Sequence, residues 1–92
     1  MASRRADYLV CYDIADPKRL AKVARYLERR LFRIQYSIFI AKDFGKEDIY
    51  LIADALQQLI DPREDDIRIY TIQESGIAMG AAYDLDEIFI IR

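Results

Sequence analysis

A chain of 92 residues, 53% hydrophobic and 33% charged, reads as one globular domain, not as a disordered tail. It has no His and one Cys, Cys11, which excludes His-based general acid–base chemistry, Cys–His pairs and an internal disulfide. The net charge of −2 hides an asymmetry: residues 1–33 carry a net +5 and residues 34–92 a net −7, so a polyanionic partner is not excluded.

Met1 to Asp7 is a short polar lead with no apolar core, and no run approaches 18 apolar residues. The expectation is a cytoplasmic protein with no membrane partner. Tyr8 to Ile14 is almost wholly apolar and predicts a central strand covered on both faces. Cys11 within it reads as a buried thiol rather than a reactive one.

Asp16-Pro17 is a helix start, with Asp16 as the cap and Pro17 at the first helical position. Leu20, Val23, Ala24, Leu27 and Leu31 then recur at helical spacing, and the helix should end near Arg30. Phe32 to Ala41 is extended, as one strand or as two broken near Gln35 to Ser37. By parity, Arg33, Gln35, Ser37 and Phe39 share one face. Asp43 to Lys46 is read as a turn. A second helix follows, with Ile49, Ile52, Ala53, Leu56, Leu59 and Ile60 as its apolar stripe, ended by Asp61-Pro62. Ile67 to Ile72 is a strand with Ile67 and Ile69 inward. Residues 73–84 form a loop, and Glu87 to Arg92 a last short strand.

This order predicts a single α+β domain over residues 1–92, a ferredoxin-like βαββαβ sandwich with an additional C-terminal strand. Helices cover one sheet face only, yet the strands are apolar on both. A second copy packed sheet to sheet is the simplest lid, so a homodimer is expected, with residues 73–92 pairing across it.

Two features bear on chemistry. Asp13 leaves an apolar strand three residues before the capping acid. It is either a device for entering the helix or a metal and phosphate site. One carboxylate is a poor Mg²⁺ site, but a two-fold dimer could bring Asp13 of each subunit to one ion, which would activate water for phosphodiester hydrolysis. Lys18, Lys22, Arg25 and Arg29 form a stripe opposite the apolar side of the first helix. The stripe is either a solvated face or a track for phosphates, doubled in a dimer. Arg33, Gln35 and Ser37 are either exposed polar residues or groups lining an interface near Asp13. Tyr12 reads as packing.

YLVCYDI at 8–14, the basic helix, RIQYSIF at 33–39 and IDPREDDIRIY at 60–70 together resemble the small CRISPR-associated protein of spacer acquisition, often described as a CRISPR-associated endoribonuclease. The resemblance runs through residues 8–72. It implies a ferredoxin-like homodimer with Asp13 as the catalytic and metal-binding aspartate, near the two-fold axis, using Mg²⁺ or Mn²⁺. Tyr12, Gln35, Ser37 and Phe39 would support it. Lys18, Lys22, Arg25, Arg29 and Arg33 would contact duplex DNA or single-stranded RNA. The implied function is a dimeric adaptor that bridges copies of the CRISPR integrase and holds incoming DNA. The alternatives are a metal-dependent endonuclease as the main activity, a ferredoxin-like regulatory module with a small-molecule pocket at the dimer seam, and a toxin-like RNase.

Overall fold

The computed structural model describes residues 5–72. The elements run β1 (Arg5–Asp13), α1 (Pro17–Glu28), β2 (Phe32–Gln35), β3 (Ile38–Gly45), α2 (Lys46–Leu59) and β4 (Asp66–Ile72). They build one antiparallel sheet in the order β2-β3-β1-β4, the strand order of a ferredoxin-like domain. The final strand expected at 87–92, and its pairing across a dimer, lie outside the described residues.

Alternation along β1 decides which residues meet the helices. Tyr8, Val10 and Tyr12 are buried and pack with Phe39 and Ala41 of β3, Val23 and Leu27 of α1, and Ile49, Ile52 and Leu56 of α2. Leu9 and Cys11 point the other way, opposite Ile40 and Ile38 on one side and Tyr70 and Arg68 on the other. Tyr70 keeps 47% of its surface exposed on that face.

The first helix starts as its sequence dictates. The Asp16 carboxylate accepts from the backbone N–H groups of Lys18 and Arg19, both at 2.9 Å, and Pro17 occupies the first turn. It closes at Glu28, and the N–H groups of Arg30 and Leu31 both return to the Leu27 carbonyl.

Three expectations change in the structure. Strand β1 begins at Arg5, three residues earlier than its apolar run. Its polar start is paired to β3 through a register shift between Ala6 and Tyr8, the Asp43 N–H donating to Asp7 and Lys42 ion-paired with Asp7 at 3.2 Å. Strand β3 runs on to Gly45 instead of ending at Ala41 and turning over 43–46, with Asp43 at φ 59°, a left-handed conformation that Asp tolerates better than most residues. The segment 32–41 is two strands joined at Tyr36-Ser37.

That last break also separates residues that parity had grouped. Arg33 stays opposite Phe39, on the helical side. A register irregularity after it sets Gln35 opposite Ile38, on the face turned away from the helices. Ser37 lies in the turn.

Candidate functional site: the β1 exit and the basic helix

Asp13 is the last residue of β1, and the alternation that buries Tyr12 turns Asp13 to the face away from the helices. Its carboxylate is exposed and has no hydrogen-bond or ion-pair partner among the described residues. Across the ladder stands Asp66, the first residue of β4, itself paired with Arg68 at 3.1 Å. The chain therefore presents oxygen donors suited to a hard divalent cation, but no group of three or more His, Cys, Asp or Glu gathers among the described residues. Carboxylates from a second copy would supply what one chain lacks.

The supporting residues divide. Tyr12 and Phe39 stack with ring centroids 6.2 Å apart, and the Arg33 guanidinium sits 5.0 Å above the Phe39 ring. Arg33 also pairs with Glu28 at 3.0 Å, which ties β2 to the end of α1. The Tyr12 N–H donates to the Ser37 carbonyl at 3.1 Å, so the β2–β3 turn braces the residue before Asp13. Tyr12, Ser37, Phe39 and Arg33 thus form one packed unit beneath the acid. Gln35 is exposed and stands apart from it.

Along α1, Lys18, Lys22, Arg25 and Arg29 are all exposed, and none makes an ion pair among the described residues. Most other cations among the described residues are neutralised: Arg5, Arg19, Arg33, Lys42, Arg63 and Arg68 each have an acid within 4.0 Å, while Lys46 at the start of α2 has none. Arg30 extends the unpaired stretch and lies 3.9 Å over the Tyr26 ring.

Two groups escaped the sequence reading, Asp65 and Asp66. Both belong to the run 61–66, whose four acids crowd the approach to β4, and that density was the available signal. The Arg19 hydrogen bond, with the N–H groups of Asp61 and Ala15, holds the Asp65 carboxyl far below the usual carboxylate range despite its burial. Burial raises the pKa of the Cys11 thiol.

A groove lies between α2 and β4. One cavity of about 270 Å³ is lined by Tyr8, Lys46, Ile49, Tyr50, Ala53, Ile69 and Thr71, and a second of about 160 Å³ continues it past Leu56 and Ile67. Both lie on the helical side, away from the face on which a second sheet would pack, so neither is the seam pocket a regulatory module requires.

An antiparallel βαββαβ sheet with two helices on one face is the ferredoxin-like class of domain, here carrying an exposed acid at the exit of its first strand and an exposed basic stripe on its first helix. Residues 6–79 match the family of the CRISPR associated protein Cas2, and the chain belongs to that family. It is 39% identical over 72 residues to the CRISPR-associated endoribonuclease Cas2 1 of Nitrosomonas europaea, covering 78% of this chain and 68% of that one. It is 41% identical over 73 residues to the Cas2 2 protein of Thermodesulfovibrio yellowstonii, covering 79% of each. Among solved structures, Streptococcus pyogenes Cas2 superposes with a TM-score of 0.64 at 32% identity, over 73% of this chain and 86% of that one. A chain from a partial Cas6-RT-Cas1–Cas2 complex superposes with a TM-score of 0.67 at 26% identity, over 88% of this chain and 85% of that one.

Proposed function

We propose that this protein is a dimeric adaptor of CRISPR spacer acquisition, bridging copies of the integrase and holding incoming duplex DNA along α1. The observation that carries this reading is the row Lys18, Lys22, Arg25 and Arg29, unneutralised among the described residues, whose other cations are mostly paired. Four like charges on one exposed face repel, and phosphates relieve that repulsion while releasing counterions. A structural neighbour from an assembly that contains Cas1 supports the integrase as partner. The face bearing Leu9, Cys11 and Tyr70 suits a second copy, whose α1 would double the phosphate track.

Metal-dependent phosphodiester hydrolysis is the second reading, favoured by the solvent-facing Asp13, unpartnered among the described residues, and by relatives named endoribonucleases. Asp13 from each of two copies would hold a Mg²⁺ or Mn²⁺ ion, which when bound lowers the pKa of water and neutralises phosphate charge. The chain's own contribution is to keep Asp13 projecting from a rigid strand end, braced by the Tyr12–Ser37 bond and the Tyr12–Phe39 stack.

The deciding experiment measures duplex affinity, spacer capture and assembly mass for wild type, the Lys22→Glu/Arg25→Glu double variant and Asp13→Ala. The double variant should lose duplex affinity and capture, and Asp13→Ala should keep both. Normal capture by the charge-reversed protein, or a monomer at micromolar concentration, would overturn the adaptor reading.

A further inference from the structure

The β1–β4 ladder stops at the pair Asp13 and Asp66. Beyond it the backbone departs on both sides, into α1 after Ile14 and into the 61–65 turn before Asp66. The carboxylate of Asp65 closes this gap. Its Oδ1 accepts from the Ala15 N–H at 3.0 Å and from Nη2 of Arg19 at 3.2 Å. Its Oδ2 accepts from Nε of Arg19 at 2.7 Å and from the Asp61 N–H at 2.8 Å. The side chain is fully shielded from solvent (0% exposed), and four donors from three segments compensate its desolvation.

Helix α1 does not need Asp65 for its local shape, and within its own turn the carboxylate makes one bond, from the Asp61 N–H. Helix α1 already has its cap in Asp16 and its Pro17. The 61–65 turn has its own bonds, from the Glu64 and Asp65 N–H groups to the Asp61 carbonyl and from Arg63 to the Asp61 carboxylate. What Asp65 adds is the relation between the two. The strand end it secures is the one bearing Asp13, whose side chain has no bond of its own among the described residues and takes its position there from the backbone. Unsecured strand ends open locally at little cost.

We propose that Asp65 is a positioning residue for Asp13. It latches the β1–α1 turn to the start of β4 through Ala15 and Arg19, and so fixes where the Asp13 carboxylate is offered to a divalent cation. The inference rests on the metal-binding reading of Asp13 given above. Arg19 belongs to the latch and not to the phosphate-facing stripe, although it sits on the same helix.

Mn²⁺ binding, followed by the electron paramagnetic resonance signal of the free ion, tests this on the full chain. Wild type, Asp13→Asn, Asp65→Asn, Arg19→Lys and Leu27→Ala are compared below their melting temperatures, with assembly mass checked for each. Wild type should bind and Asp13→Asn should not. Asp65→Asn, still folded, should bind about ten-fold or more weakly, as loss of a ligand-orienting partner does. Arg19→Lys keeps the charge but cannot serve both oxygens, and should fall between the two. It carries the test if Asp65→Asn does not fold. Leu27→Ala, destabilised through the core, should keep wild-type affinity.

Wild-type affinity in folded Asp65→Asn or Arg19→Lys would overturn the positioning role. An equal loss in Leu27→Ala would overturn it too, by reducing the effect to general stability. If wild type binds Mn²⁺ no better than Asp13→Asn, the metal-binding reading itself fails and takes this inference with it.

Discussion

Asp13 and Asp66 face each other as the last pair of the β1–β4 ladder, two carboxylates on one side of the sheet with Arg68 attending only the second. Like charges directly opposite on neighbouring strands destabilise a sheet. Asp13→Asn should therefore raise the melting temperature in chelator and low salt, by about 1–3 °C. The gain should shrink as salt screens the pair. A fall instead would mean that Asp13 has a structural task.

Arg33 is the one expected nucleic-acid contact already engaged, between Glu28 and the Phe39 ring. Arg33→Ala should cost about 1 kcal/mol of stability, an upper figure for a side chain 40% exposed and screened by water. The slope of duplex affinity against salt should stay at its wild-type value, whereas each neutralisation at Lys22 or Arg25 should reduce it by about one. Denaturant unfolding and binding titrations at several salt concentrations read the two effects separately.

The Asp65 carboxyl is held well below its ordinary pKa in the folded protein, first by its hydrogen bond to Arg19, so folding favours its ionised form. That stabilisation is complete above the unfolded value of about 3.9 and is lost as pH falls toward the folded one. Melting temperature should thus drop steeply in acid. Asp65→Asn should lower it at pH 7 and flatten that acid limb. An unchanged limb would remove the latch from the stability account.

Cys11 lies on the face assigned to the second copy, and burial raises its thiol pKa. A raised pKa means less thiolate at any given pH, so alkylation near pH 8 should be slower than for a free thiol. If the copies pack on this face, the rate should fall further as protein concentration rises through the dimer transition. A rate independent of concentration would move the interface elsewhere.

Leu27 is fully buried where α1 meets the sheet. Leu27→Ala should cost about 2–5 kcal/mol by leaving a cavity. Equilibrium unfolding measures it, and a loss under 1 kcal/mol would show that the site collapses freely.

The sequence was most legible where a single local pattern governs. Asp16-Pro17 named the start of α1, and the spacing of Val23 and Leu27 named its buried side. Ile67 and Ile69 pointed inward as their alternation required. It was least legible where polar residues do the pairing. Arg5 to Asp7 belongs to β1 only because Lys42 and the Asp43 backbone, 35 or more positions away, answer its charges. Parity grouped Arg33 with Gln35, and one irregular step in the hairpin put them on opposite faces.

By itself, then, the sequence of the described residues determined which segments are helical and which extended, the strand-end placement of Asp13 and the basic side of α1, because each follows from side-chain spacing along a few consecutive residues, while it left open whether 32–41 is one strand or two. Only the tertiary structure decided that Arg33 is already neutralised, that Asp66 stands across from Asp13 and that Asp65 joins their two strand ends. Those are contacts between segments remote in sequence. Their distances and donors exist only once the backbone has closed the sheet.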